Sequence, residues 1–296
     1  MDVFPELMHG ALREAATAAA HELDLFAALP CPAGGLAGRL GVRPRRLAAL
    51  VRVLVFDGVL IEREGELRPL AVPPRRTLSR GGWGSLAEAI RADRPLSGEG
   101  ISGSPGEDLK RFHEHLRAAG AAAAREVVER LGPRGPLLDL GGGAGAYAGA
   151  FLAAHPGERA IVVDRPAVLD LAREAVPAAE RVALDLLGDD PWPAGARIAL
   201  LANVLHLYAP EDAALLVSRT ARAVLPGGTI AVKDFDAASG PGILFSLNMA
   251  LFTEAGEVHG TDQLRSFLRD AGAADVQVER LRSAPEMLLL RGTLAA

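Results

Sequence analysis

The chain has a single cysteine, Cys31, in 296 residues. An internal disulfide is therefore impossible, and the lone thiol is read as a small packing residue suited to a reducing compartment. Runs of about 18 apolar residues, the length that spans a bilayer as a helix, are missing. The N-terminal MDVFPELMHG does not place a basic segment before an apolar stretch, as a secretory leader would. The expected location is cytoplasmic, with no membrane partner. Basic charge is also in short supply: 32 Lys and Arg face 37 Asp and Glu, for a formal net charge of -5. Such an acidic average offers no global attraction for nucleic acid. Lys, Asn and Ile are scarce beside Ala, Arg, Gly and Pro, as in a GC-rich bacterial gene.

What is present is apolar material, 49% of the residues, enough for a sizeable core. At this length two domains are expected, with the division drawn between 1–105 and 106–296. In the front part, residues 3–29 carry Leu7, Met8, Leu12, Ala15, Ala19, Leu23 and Phe26 at helical spacing. Residues 34–70 then read as a short helix, a turn at Gly41, a second helix begun at Pro44, and two short strands around Glu64-Gly65. That order is a winged helix-turn-helix. Its seven arginines (39, 43, 45, 46, 52, 63 and 68) only modestly outnumber its four acids. The second helix, PRRLAALVRVLVFDG, is mostly apolar and offers few side chains that could read base edges, so packing suits it better than groove insertion. Residues 71–107 read as a Pro-, Gly- and Ser-rich connector with one short helix near Trp83 to Ala92, and a longer helix follows over about 108–131. His113 and His115 lie on it two apart and so on different faces, which disfavours a shared metal. His113 is a candidate substrate contact.

The most informative stretch is PLLDLGGGAGAYAGAFL, residues 136–152. A short apolar strand leads into glycines that would ruin any regular element, then into a helix, so a ligand must come close to that backbone. The free N–H groups and dipole of the helix favour a carboxylate or phosphate. By itself the pattern serves nicotinamide, flavin and S-adenosylmethionine cofactors equally. Downstream, RAIVVD is a second strand ending in Asp164, about 20 residues past the loop, where an acid can hold two ribose hydroxyls. RVALDLL is a third strand ending in Asp185, ARIALLANVLHLY a fourth ending around Asn203 to Tyr208, and TIAVKDF another after the PGG turn. Strands alternating with helices in this way form a parallel, doubly wound sheet whose ligands bind at the carboxyl ends of the strands. Asp139, Gly141, Gly143, Asp164 and Asp185 all fall there.

The order LDLGGGAG, VVD, NVLHLY, LPGG over residues 136–235 resembles a class I S-adenosylmethionine-dependent methyltransferase. With the front third included, the whole chain is similar to the small-molecule O-methyltransferases of plant caffeate type and their bacterial antibiotic-biosynthesis relatives. The resemblance implies an α/β, Rossmann-like doubly wound catalytic domain behind an N-terminal, mostly helical winged-helix dimerisation domain, and hence a homodimer. It implies that the Asp139–Gly145 loop, with Gly141, Gly143 and Gly145, cradles the methionine part of S-adenosylmethionine. Asp164 would hold the ribose and Asp185 lie beside the adenine, with Arg165, Leu186 and Asn203 completing the cofactor set. S-adenosylhomocysteine would be the product.

His206 matches the base histidine of the family's LHDW motif, although here the motif reads HLY, with Leu207 and Tyr208 in the last two places. Asp234 lies where a glutamate flanks the base in plant enzymes and could orient His206; Glu257, Val258 and His259 lie near the second such glutamate. Asn248, an isolated amide on the apolar helix LFSLNMALF, and Phe252 are candidate substrate contacts, as is His259. His206 and His259 together also suggest the metal-binding branch of the family, but Leu207 cannot supply its next ligand, and two ligands make a weak site. The leading reading is metal-independent O-methylation of a small, aromatic, hydroxylated metabolite. Alternatives are C- or N-methylation on the same scaffold with His206 positioning the acceptor, with or without metal assistance through His206 and His259, or a relative that binds the cofactor but catalyses rearrangement or hydroxylation. A gene regulator is a further class.

Overall fold

The structure, a computed structural model, describes residues 4–75, 77–79, 82–95 and 107–295. Helix α1 (Phe4–Glu22) leads through a short 3-10 turn to β1 (Cys31–Pro32), α2 (Leu36–Leu40) and α3 (Pro44–Phe56). Pro44 opens α3 where its missing N–H costs nothing. Leu47, Leu50, Val53 and Leu54 then fall on one buried face. β2 (Leu60–Arg63) and β3 (Glu66–Pro69) form a hairpin with Arg63 opposite Glu66. Its two turn residues, Glu64 and Gly65, both have positive φ (56° and 77°), as a two-residue primed turn requires. This is the wing read from the sequence. α4 (Leu86–Ala92) follows.

The chain next forms α5 (Glu107–Ala119) and α6 (Ala121–Leu131). The single helix expected over 108–131 is thus broken at Gly120. From there a strand–helix alternation begins: β4 (Leu137–Leu140), α7 (Ala146–Ala154), β5 (Ala160–Asp164), α8 (Pro166–Ala175), β6 (Glu180–Ala183), β7 (Ala196–Ala202), α9 (Pro210–Ala223) and β8 (Val224–Phe235). α10 (Gly240–Phe252), α11 (Thr261–Asp270), β9 (Ala273–Arg280) and β10 (Met287–Leu294) complete the fold.

The sheet order is β6-β5-β4-β7-β8-β10-β9. β4 to β8 are parallel, as expected, whereas β10 runs antiparallel to both of its neighbours. Strand order reverses between β4 and β7, which opens a crevice at their carboxyl ends. Alternate residues of the central strands feed two cores. Leu138, Leu140, Leu201 and Val232 pack with α9 and α11, while Leu137, Leu200 and Ala231 pack with α6 and α7.

The molecule divides into two compact units: Met1–Gly100 with Ala238–Val258, and Ile101–Ala237 with His259–Ala296. The domain boundary drawn at 105/106 lies outside the described residues. A second difference is that 238–258, assigned from the sequence to the catalytic domain, packs with the first unit. α10 explains this, because it is apolar nearly all round and must be buried. Its Leu244, Leu247 and Leu251 join Leu12, Leu50 and Leu54 in one core. Arg46, fully buried, donates to the main-chain oxygens of Ala250, of Thr253 (3.1 Å) and of Glu254 (3.2 Å), satisfying the carboxyl end of α10. It is therefore lost to the basic surface counted from the sequence. Among the described residues no helix is long and apolar enough to cross a membrane.

Candidate active site

The site is built at the carboxyl ends of β4, β5, β7 and β8, all within the second unit. Gly141, Gly143 and Gly145 have φ of 64°, 58° and 76°, a left-handed region that side-chain-bearing residues avoid. A Cβ on Gly141 would stand 2.7 Å from Val204 Cγ2, and one on Gly143 would stand 3.2 Å from His113 Nδ1. The loop backbone is thus bare by necessity. Beneath it, Asp139 is fully buried and its Oδ2 accepts the Ala148 N–H of α7 at 3.1 Å. Burial, reinforced by the negative charge of Asp164, pushes the Asp139 carboxyl up to about 7.

Asp164 ends β5 and turns back on the loop: Oδ2 accepts the Gly143 N–H at 2.9 Å, and Oδ1 accepts the Arg165 N–H at 2.8 Å. The Arg165 side chain is exposed. Asp185 lies two residues beyond β6, not at its end, and its Oδ1 accepts the Leu187 N–H at 3.0 Å. Leu186 is buried, with Cδ1 3.8 Å from the Cβ position of Gly141. Tyr208, which the sequence reading did not assign to the site, belongs with these acids. Burial and the charges of Asp185 and Asp164 push its phenol up to about 12.

After β7 the chain turns at Asn203 and makes a 3-10 turn, Leu205–Leu207, that carries His206. His206 is 5% exposed. Its Nδ1 lies 2.6 Å from Asp234 Oδ1, and its main-chain N–H reaches Asp234 Oδ2 at 3.3 Å. Burial alone would raise the Asp234 carboxyl. The His206 ring, the Phe235 N–H and Lys233 instead hold it below the usual carboxylate range. Asn203 Oδ1 accepts from Lys233 Nζ at 2.7 Å. Lys233 was not singled out from the sequence, although an ionisable residue inside the apolar strand TIAVKDF was a signal that could have found it.

The other candidates separate. His113 is buried over Gly143 while His115 is exposed, and burial lowers the His113 ring from its ordinary value. His259 is buried and donates through Nε2 to the Leu205 carbonyl at 3.0 Å. In the first unit, the Asn248 Oδ1 accepts the Trp83 indole N–H at 2.8 Å, so this amide is not isolated as the sequence suggested. Phe252 packs against the core that α10 completes. Among the described residues no group of three or more His, Cys, Asp or Glu is placed to hold a metal ion.

The arrangement fits a nucleoside cofactor with an amino-acid tail. The loop is bare backbone, an acid stands at the end of the second strand, and two buried polar atoms beside the loop, Asp139 Oδ1 and His113 Nε2, have no hydrogen-bond partner among the described residues. A glycine loop at the switch point of such a sheet marks the class of nucleoside-cofactor enzymes with a doubly wound fold, and here a buried histidine–aspartate pair stands beyond the ends of β7 and β8.

Comparison with known proteins makes the class specific. The model of the O-methyltransferase domain family matches residues 103–273. The chain is 28% identical over 315 residues to the 3-hydroxy-5-methyl-1-naphthoate 3-O-methyltransferase of Streptomyces sahachiroi, covering 94% of this chain and 91% of that protein. It is 33% identical over 234 residues to the acetylserotonin O-methyltransferase of Bos taurus, covering 71% and 66%. Among solved structures, an O-methyltransferase family 2 protein of Planctomyces limnophilus in complex with apigenin matches with a TM-score of 0.73 at 24% identity, covering 99% and 96%. The chain belongs to the O-methyltransferase domain family and is an enzyme that draws its methyl group from S-adenosylmethionine.

Proposed function

We propose that the enzyme methylates a hydroxyl of a small aromatic metabolite, with His206 as general base and no metal. The observation that carries this is the buried His206–Asp234 pair at 2.6 Å. An ionised Asp234 accepts the Nδ1–H of His206, which leaves Nε2 as the nitrogen that takes a proton. A phenol with a pKa of about 10 is too weak an acid to ionise unaided at neutral pH. As the acceptor oxygen gains the methyl group, its proton becomes acidic and passes to Nε2, and Asp234 stabilises the imidazolium that results. S-adenosylmethionine supplies the methyl as an electrophile, so the chain has only to align the acceptor and remove its proton.

In this reading the Gly141–Gly145 loop, with Asp139 beneath it, holds the methionine part of the cofactor. Asp164 releases the loop N–H to bind the ribose, while Asp185, Leu186 and Tyr208 border the adenine. His113 contacts the bound ligands over Gly143, and His259 braces the His206 turn through Leu205. The aromatic acceptor is supported by the names of relatives that act on a hydroxynaphthoate and on 3-amino-4-hydroxybenzoate. Metal independence is supported by Leu207, whose side chain cannot supply the ligand that would follow His206.

His206→Ala is expected to lower kcat by roughly 10² to 10⁴-fold, the usual range for a general base, with cofactor affinity unchanged by calorimetry. A kcat within twofold of the parent enzyme would dismiss His206 as the base.

A further inference from the structure

Two neighbouring residues of β8, Lys233 and Asp234, point to opposite faces of the sheet. Each grips one end of the turn that carries His206. On one face Asp234 takes the ring and the main-chain N–H of His206. On the other, Lys233 and Asn203 bond reciprocally: the Asn203 N–H donates to the Lys233 carbonyl at 2.8 Å, and Lys233 Nζ donates to Asn203 Oδ1 at 2.7 Å. The parallel register, with Ala202 beside Lys233, places Asn203 where the strand ends.

Asn203 is also where the backbone changes direction. Its φ of 58° takes the chain out of β7. Asparagine tolerates this left-handed conformation better than most residues, but at a cost that surrounding bonds must offset. The two bonds to Lys233 are those bonds. The main-chain bond forms whatever residue stands at 233, so the bond from Nζ to Asn203 Oδ1 is the part of this hold that the Lys233 side chain adds.

Lys233 is only 3% exposed. Burial lowers its ammonium to about 8, outweighing the favourable charges of Asp234 and Glu286, so the charge that donates to the Asn203 amide is kept here at a desolvation cost. Its value must then lie in what it holds.

We propose that Lys233 is a positioning residue for methyl transfer, acting through Asn203 to set the turn that presents His206 to the acceptor. The inference rests on the reading of His206 as the base. Lys233→Met, which keeps the apolar stem and removes the donor, lowers kcat at least tenfold while the calorimetric Kd for S-adenosylmethionine stays within twofold. A displacement of about 1 Å at a reacting group costs about 10²-fold, which bounds the effect. Asn203→Gly keeps the left-handed backbone, removes the amide, and is expected to lower kcat comparably. The double variant should be no slower than either single one, because both break the same link. Lys233→Arg, still a donor, should recover part of the rate.

The same Lys233→Met change in a His206→Ala background should have no further effect on kcat. If His206→Ala is itself near the parent rate, the base assignment fails. If His206→Ala is slow while Lys233→Met and Asn203→Gly turn over normally, the positioning role alone fails. Loss of cofactor affinity at unchanged saturated kcat would make Lys233 a cofactor ligand and overturn the proposal. So would additive losses in the double variant.

Discussion

Asp139 shows how far a single side chain departs from what its place in the chain suggests. From the sequence it was one acid before a glycine loop; in the structure it is fully buried under that loop, with a carboxyl pushed up to about 7. Its stability effect has a definite sign. Between the ordinary aspartate value and about 7 the folded protein keeps this proton and the unfolded chain has lost it, so stability falls as pH rises through that window. The loss across the whole window is about 4 kcal/mol as an upper bound. Asp139→Asn stays neutral at every pH and keeps an oxygen for the Ala148 N–H. Urea unfolding at pH 5 and pH 8 should therefore show a smaller loss of stability in the variant than in the parent. Parallel pH curves for the two proteins would mean that Asp139 is ionised in the native state. Asp139, Asp164 and His206 stood out in the sequence because each lies in a short motif at or just past the carboxyl end of an apolar strand. Lys233 was marked only as an ionisable residue in an apolar strand; its partner Asn203, 30 residues away, was not legible.

Secondary elements were legible to different degrees, for physical reasons. β4, β5 and β7 are buried on both faces and read as continuous apolar runs. The wing was marked by its Glu64-Gly65 turn. The closing strands β9 and β10 were not read at all: β9, AADVQVER, is an edge strand with a mixed pattern, and it finds its place only by pairing with β10. α6 owes its seat to another contact that no local pattern announces. Glu126 on α6 accepts the main-chain N–H groups of Arg282 and Ser283, each at 2.8 Å, and an ion pair from Arg130, so it ties the helix to the turn between β9 and β10. Burial disfavours its charge, but the Ser283 hydroxyl, these N–H groups and Arg130 hold its carboxyl at about 2. This contribution is present above the ordinary glutamate value and is lost as pH falls from about 4.5 towards 2. Glu126→Gln is expected to lower stability at pH 7 by about 2 to 3 kcal/mol, as for loss of hydrogen bonds to a charged group. The gap between the two proteins should narrow at pH 3. Equal urea midpoints at pH 7 would show that the tie contributes nothing.

For the whole chain, the family resemblance carries the expectation of a homodimer. Sedimentation velocity of the full chain should give twice the 30.9 kDa of one copy, and a single species at 30.9 kDa would refute it. What the sequence determined by itself was whatever depends on near neighbours. Glycines that need positive φ, apolar runs long enough for buried strands, a turn of two residues and the order of motifs together specified the doubly wound sheet and its glycine loop. Only the tertiary structure decided which distant side chains meet. Asp234 reaches His206 across 28 residues, Lys233 reaches Asn203 across 30, and Arg46 caps a helix 204 residues away. It also moved residues 238–258 from the unit the chain order suggests to the other one. These contacts follow from strand register and from the need to bury α10, and both are set by the packing of elements far apart in sequence.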